Sequence, residues 1–247
     1  LSSRRTAVAI LLAALLGAVP VRAEDLLIRW LGQSCFWVQT PDGVRVLMDP
    51  VPPAAGYANA PVTADVVTVS HDHPDHSYLP LAQGAFSVLR GVAPGGRDWN
   101  AVELEIGDAR LHTVGSYHDG ARGAERGLNA IFVLELPNFK LVHLGDLGHA
   151  LEDGQVAALR GADAVLVPVG GRFTLDAAAA ARVVDQLQPR ALVIPMHYRT
   201  ADSKVKELAP PDAFLKGRQV LKADGPVYKI DVDARPASRA CVILNYR

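Results

Sequence analysis

Apolar residues fall in short runs separated by Pro, Gly, Asp and Asn, and the spacing of each run predicts an element. Leu26 to Thr40 reads as a strand pair, or one long strand bent at Gly32, and Pro41-Asp42-Gly43 is a turn. Val44 to Met48 predicts a strand ending at Asp49-Pro50, and Pro50 to Pro61 a loop. Asp65 to Val69 is β-branched and reads as a buried strand. Tyr78 to Gly84 reads as a short helix, and Phe86–Leu89, Ala101–Ile106 and Ala109–Val114 as strands. Asn129–Leu136 and Phe139–Leu144 form a predicted hairpin through Pro137-Asn138.

The second half alternates. Leu151–Leu159 reads as a helix with Gly161 beyond its end, and Ala164–Pro168 as a strand. Thr174 is the expected N-cap of an Ala-rich helix that runs to Gln188 and stops at Pro189, with Asp176 in its first turn. Ala191–Ile194 is a strand, Lys204–Lys216 is helical in pieces around Pro210-Pro211, and Val227–Val232 and Cys241–Leu244 close the chain as strands. Strands in runs, then strands alternating with helices, give an α/β class. No repeat or linker interrupts residues 24–247, which read as one domain.

Residues 1–23 stand apart. Arg4 and Arg5 precede an apolar stretch from Ala7 to Val19, broken by Pro20 before Val21-Arg22-Ala23. This is the layout of a secretory signal peptide, too short for a spanning helix, with a partial twin-arginine pattern at Ser3-Arg4-Arg5-Thr6. Export to the periplasm or medium is expected, with the mature chain starting at Glu24 and keeping no membrane anchor. Cleavage would remove three arginines and no acid, moving the net charge from −1 to −4. That charge, with no Lys/Arg cluster, argues against nucleic acid as a partner. A small-molecule substrate is the expected partner, and oligomeric state is not readable. Cys35 and Cys241 could pair after export or remain inert buried thiols.

The candidate chemistry begins at Ser70-His71-Asp72-His73-Pro74-Asp75-His76. Imidazole and carboxylate are ligands for Zn²⁺ and its first-row neighbours, and Pro74 puts the histidines in a loop after a strand. Other ligand-type residues follow other strands: His118 after Val114, Asp146 after Leu144 and His197 after Ile194. If those strands lie side by side, His71, His73, Asp75, His76, His118, Asp146 and His197 converge on one edge. Seven ligands are too many for one tetrahedral ion but suit two ions sharing a carboxylate.

H-x-H-x-D-H at 71–76, followed by His118, Asp146 and His197, resembles the ligand order of the metallo-β-lactamase-fold hydrolases. The chain is most similar to the lactonase-like branch, which includes ascorbate-6-phosphate lactonases. Trp30-Leu31-Gly32-Gln33-Ser34-Cys35-Phe36, Leu47-Met48-Asp49-Pro50, His143-Leu144-Gly145-Asp146, Pro168-Val169-Gly170-Gly171 and Pro195-Met196-His197-Tyr198 carry that resemblance. Gln33 stands where the branch often has His. The resemblance implies a four-layer αβ/βα sandwich, two mixed sheets flanked by helices. It also implies His71, His73 and His118 on one ion, Asp75, His76 and His197 on a second, and Asp146 bridging. True β-lactamases of the fold usually have Cys at the position of Asp146, which argues against β-lactams as the native substrate.

Two such cations would give a bridging hydroxide that attacks a small ester, lactone or phosphodiester, with Asp75 orienting it. Zn²⁺ is expected, and Mn²⁺ or Fe²⁺ suit the same ligands. Asp49 resembles the carboxylate that holds a ligand histidine from behind, in preference to a turn cap. His149 is a candidate proton donor or a solvent-facing residue at a helix start. Tyr198 is a candidate oxyanion donor or a core residue. Arg122, Arg126 and Arg172 lie in loops beside ligands, where solubility is the first reading and anion binding the second. His112 and His143 sit inside strands and read as structural. Competing functions are a metal-binding protein of this fold without hydrolysis and an RNA-processing nuclease. Asp75 in the hydrolase spacing, and the absence of basic arms, favour the small-molecule hydrolase.

Overall fold

A computed structural model describes residues 25–234 and 239–246. The predicted signal segment, residues 1–23, lies outside the described residues. The N-terminal runs supply β1 (Asp25–Gly32), β2 (Cys35–Gln39), β3 (Arg45–Met48), β4 (Val62–Thr63), β5 (Val66–Val69), β6 (Ala82–Gln83) and β7 (Ser87–Arg90). The rest of the chain supplies β8 (Glu103–Ile106), β9 (Ala109–Tyr117), β10 (Leu128–Leu136), β11 (Phe139–His143), helix α1 (Asp153–Leu159), β12 (Ala164–Pro168), helix α2 (Ala177–Leu187), β13 (Leu192–Met196), helix α3 (Asp212–Leu215), β14 (Val220–Lys222), β15 (Tyr228–Asp231) and β16 (Ala240–Ile243). Six strands pair in the order β15-β1-β2-β3-β5-β7, and eight in the order β14-β16-β13-β12-β11-β10-β9-β8, with β4 and β6 as a separate small pair.

Side-chain alternation explains the layering. Val46, Met48 and Val66 enter the main core between the sheets, while their neighbours Leu47, Val67 and Val69 face an outer cluster. Val51, Ala55, Tyr57 and Leu81, from the loop after β3 and two short 3₁₀ turns, cover that outer face. On the larger sheet, β12 and β13 are buried along their whole length. Helix α2 buries Ala180, Val183, Val184 and Leu187 at helical spacing and packs on β12. The result is the expected sandwich of two mixed sheets, with loop and 3₁₀ turns forming the outer layer of the smaller one.

Some boundaries differ from expectation for identifiable reasons. The N-cap of α2 is Asp176, whose Oδ1 accepts from Ala179 N at 2.7 Å, rather than Thr174. Of the helix expected over 204–216, only α3 forms, because Pro210 and Pro211 lack the N–H that an interior turn needs. The segment 78–84 becomes a 3₁₀ turn around Pro80 followed by β6. Strand β9 runs on to Tyr117 and β13 to Met196, so His118 and His197 each follow directly. Pro195 is tolerated in β13 because pairing with β16 has ended by Val193. Cys35 and Cys241 are free buried thiols in different sheets, and burial pushes both above the ordinary thiol range. No helix among the described residues is long and apolar enough to cross a membrane.

Strand direction positions the site. β9 and β11 both run antiparallel to β10, and β11, β12 and β13 run parallel, so β9, β11 and β13 end on the same edge of the larger sheet. The end of β5 meets that edge from the smaller sheet: Ala130 N donates to Ser70 O at 3.0 Å.

Candidate metal centre

Four strand ends deliver the predicted residues, and the geometry converges on Asp146. Its Oδ2 lies 3.2 Å from His76 Nε2, 3.2 Å from His197 Nε2 and 3.3 Å from His118 Nε2. Its Oδ1 accepts from Ser34 Oγ at 3.2 Å, and its backbone N–H donates to Asn129 Oδ1 at 2.9 Å. The preceding Gly145 has φ +56°, and a Cβ there would lie 2.3 Å from Asn129 Oδ1, so the turn that aims Asp146 requires glycine.

The candidate ligand atoms form two separate groups, linked by a third of Asp49, His71 and His76. Those of His71, His73 and His118 lie within 4.8 Å of one another, and so do those of Asp75, His76 and His197. His71 Nε2 and His73 Nδ1 are 3.0 Å apart, and Asp75 Oδ2 is 3.6 Å from His76 Nε2. His71, His76, His118, His197 and Asp146 are buried, Asp75 is half-buried and His73 is exposed.

Asp49 stands behind the histidines, fully buried. Its Oδ2 is 3.0 Å from His76 Nδ1 and accepts from Ser70 Oγ at 2.6 Å, while Oδ1 accepts from Ser70 N at 2.7 Å. Ser70 Oγ in turn lies 2.9 Å from His71 Nδ1. One carboxylate thus orients two candidate ligand rings, one directly and one through a hydroxyl. Gln33 does comparable work on the other side: its Nε2 lies 2.9 Å from His197 Nε2 and donates to Asp75 Oδ2 at 3.2 Å, and its backbone carbonyl accepts from His197 N at 3.0 Å. Gln33, Asp49 and His197 all have positive φ, at 53°, 45° and 50°. Strain of about 1–3 kcal/mol per residue, gathered at one centre, is typical of a functional constraint.

Burial and neighbouring charge shift the histidines in opposite directions. Burial drives His71 well below the ordinary imidazole range, with His76 adding to it, and burial and then His118 lower His73. Their rings are neutral and their lone pairs available. Burial by itself would raise Asp146, but the His197 and His76 imidazoles hold it well below the carboxylate range. Burial likewise opposes a proton on His76, and Asp146 and Asp75 outweigh it, raising that ring well above the ordinary range. Although His76 Nε2 approaches Asp146 closely, it makes no aligned hydrogen bond, and the buried Nδ1 atoms of His118 and His197 have no partner among the described residues. A close, buried imidazole nitrogen without a hydrogen bond, as at His76 Nε2, is suited to ligate a cation.

Two expected site residues are not brought here. His149 Nε2 accepts from Tyr117 N at 3.1 Å and Nδ1 meets Ala150 O at 2.7 Å, so both ring nitrogens are committed to backbone. That corrects its reading as a proton donor. Tyr198 packs against Trp30, ring centroids 4.9 Å apart, and lines a separate cavity with Trp30 and Tyr246. Burial raises its hydroxyl above the ordinary range. The core reading therefore replaces the oxyanion reading. His143 lies 2.8 Å from Ser34 O through Nε2 and accepts from Gly145 N, and His112 faces Glu135; both are structural, as expected. Ser34, Ser70 and Asn129 were not singled out in the sequence. Ser70 had a readable signal, a hydroxyl between a buried strand and the first histidine, whereas Ser34 and Asn129 had none.

A cavity of about 370 Å³ opens over the cluster, lined by Gln33, His73, Asp75, His118, Asp146 and His197. Arg126, Phe173 and Val205 complete its wall.

Comparison with known proteins agrees with this architecture. Residues 27–197 match the family described as the β-lactamase superfamily domain. A UPF0173 metal-dependent hydrolase of Hyperthermus butylicus is 30% identical over 237 residues, covering 82% of this chain and 98% of that protein. One from Caldivirga maquilingensis is 29% identical over 195 residues, covering 70% of this chain and 82% of the relative. A Thermotoga maritima crystal structure, assigned to the Zn-dependent hydrolases of the metallo-β-lactamase superfamily, superposes with a TM-score of 0.69 at 32% identity, covering 89% of this chain and 98% of its own. The chain belongs to the metallo-β-lactamase superfamily, as one of its metal-dependent hydrolases.

Proposed function

We propose that the protein is a dinuclear metallohydrolase of small esters, lactones or phosphodiesters. The observation that carries this reading is the approach of three imidazole Nε2 atoms to a single oxygen of Asp146, at 3.2, 3.2 and 3.3 Å, with no aligned hydrogen bond at His76. The donor set fits two divalent ions. His71, His73 and His118 would hold one, Asp75, His76 and His197 the other, and Asp146 would contact both. Zn²⁺ is the first candidate, with Mn²⁺ or Fe²⁺ compatible with the same donors. Bound ions would supply an acidified water and polarise the substrate oxygen.

The remaining work falls to the chain. Asp75, half-buried on the cavity wall, is the carboxylate available to take a proton from water, and Gln33 Nε2 fixes its Oδ2 by a 3.2 Å hydrogen bond. Asp49 and Ser70 hold His76 and His71 in register. Ser34 keeps the second oxygen of Asp146 occupied. The cavity of about 370 Å³ suits a small molecule rather than a polymer.

Elemental analysis of reconstituted protein should approach two equivalents, and a panel of lactones, thioesters and phosphodiesters should reveal metal-dependent turnover. Two equivalents without turnover of any class would support the alternative, a metal-binding protein of this fold. A maximum of one equivalent would overturn the dinuclear reading. We also propose export, on the pattern of residues 1–23; natural protein that retains those residues in a soluble cytoplasmic form would refute it.

A further inference from the structure

We propose that Arg126 is a specificity residue that binds an anionic group of the substrate, a carboxylate or phosphate, beside the metal centre. This rests on the metallohydrolase reading above. Three loop arginines flank the site, and the structure separates them. Arg122 is largely exposed and pairs with Glu152 at 3.1 Å. Arg172 lies over the Phe173 ring, 5.7 Å from its centroid. Arg126 lines the metal cavity together with His73, His118, Asp146 and His197, and it also lines the adjoining cavity of about 270 Å³ on the other side of His71 and His73. Among the described lining residues of the metal cavity it is the one lysine or arginine.

Its backbone is held in place rather than left to a loose loop. Asp119, the residue after His118, is buried, and its carboxylate accepts four backbone N–H groups: Ala121 at 2.8 Å, Gly123 at 2.9 Å, Glu125 at 3.0 Å and Arg126 at 2.7 Å. His118 N donates to Gly127 O at 3.1 Å, closing the loop onto the strand that carries the ligand. The position of Arg126 is therefore coupled to that of His118. Among the described residues, the guanidinium pairs with the exposed carboxylate of Glu125 at 3.2 Å. An exposed neighbour pair of this kind is weak and exchanges readily for a better acceptor. The guanidinium fork presents paired N–H donors that match a carboxylate or phosphate, which a point charge does not. A substrate whose scissile group sits at the histidines would place an anionic substituent a few atoms away against Arg126.

The test uses metal-loaded full-length protein and calorimetric binding, independent of turnover. The probes share a hydroxamate head: succinic monohydroxamate with a carboxylate tail, 3-phosphonopropionic hydroxamate with a phosphonate tail, and neutral pentanohydroxamate. Wild type should bind at least one charged-tail probe about tenfold tighter than the neutral one, an advantage that shrinks as salt rises. Arg126→Gln should erase that advantage and leave the neutral probe unchanged, and Arg126→Lys should keep part of it. The arm with the larger advantage identifies carboxylate or phosphate. An equal preference in wild type and Arg126→Gln, or none in wild type, would overturn the assignment of Arg126 while leaving the metal reading intact. Failure of all three probes to bind would overturn the metallohydrolase reading and this inference with it.

Discussion

The two halves of the candidate centre are held in different ways. Around His76 and His197 the support is mostly buried: Asp49 grips His76 from behind, Gln33 spans His197 and the half-buried Asp75, and three backbone positions are strained. Around His73 and His118 the support is thinner. His73 is exposed, and its ring meets the neighbouring ligand rings, His71 Nε2 at 3.0 Å from its Nδ1 and the His118 ring at 5.0 Å between centroids, with no carboxylate behind it among the described residues. The first half is the more firmly braced by the protein's own hydrogen bonds, and the second the less. Preorganisation lowers the cost of binding, so the His76 half should fill first and empty last.

The severest way to break this comparison is to remove the group common to both halves. On the proposed dinuclear reading, Asp146→Ala removes the carboxylate that the two halves share, so both should lose metal affinity, and turnover should fall at least ~100-fold at neutral pH. Metal analysis alongside kinetics checks this; unchanged stoichiometry would mean that Asp146 serves only the turn. Asp49→Asn should come next. It turns one of the two carboxylate oxygens that serve His76 and Ser70 into an N–H donor and removes the charge, and the loss should be about 10–100-fold in metal affinity, concentrated in the first-filled site. Sequential loss of ions during chelator titration would show whether the affected site is the tighter one.

A third comparison sets the halves against each other without metal. His76→Ala leaves the fully buried Asp49 without one partner and should cost about 1–3 kcal/mol of stability in metal-free protein. His73→Ala removes an exposed ring and should stay within about 0.5 kcal/mol. Equal destabilisation in denaturant melts would erase the distinction between the halves.

The smallest effect is a control far from both. Arg45 donates to Asp65 through Nε at 2.9 Å and Nη2 at 2.7 Å, and that pairing lowers the Asp65 carboxyl below its ordinary value. A depressed folded pKa contributes stability above the unfolded value near 3.9, and loses it as pH falls through the lower folded value. With each side chain about one-third exposed, the contribution should be about 0.5–1 kcal/mol. Asp65→Asn should remove it at pH 6 and change little below pH 3, with metal content unaffected.

Most of the strands and the histidine loop were legible because each rests on local chemistry: β-branched runs, Pro and Gly breaks, and ligands two or three residues apart. For His149 and Tyr198 the structure turns away from the catalytic alternative for a shared reason. Proximity in sequence to Asp146 and His197 says nothing about which way a ring turns after a sharp bend, and both rings turn into backbone or core. The role of Gln33 was similarly hidden. It became apparent only when the strand pair bent at Gly32, where a Cβ would lie 2.2 Å from the Tyr57 ring, brought residue 33 against residue 197.

The sequence by itself determined the α/β class, the loop at 71–76 and the identities of the seven candidate ligands, since period-2 alternation and ligand type are properties of neighbouring residues. The tertiary structure decided what meets what. His118, Asp146 and His197 come together because β9, β11 and β13 run in one direction on one sheet, and the end of β5 reaches them from the other. Asp49 supports His76 across 27 positions of chain, and Arg126 joins the cavity through a loop closed on Asp119. Such contacts depend on strand order and turn geometry, which arise from packing two sheets around a common core and have no local signature.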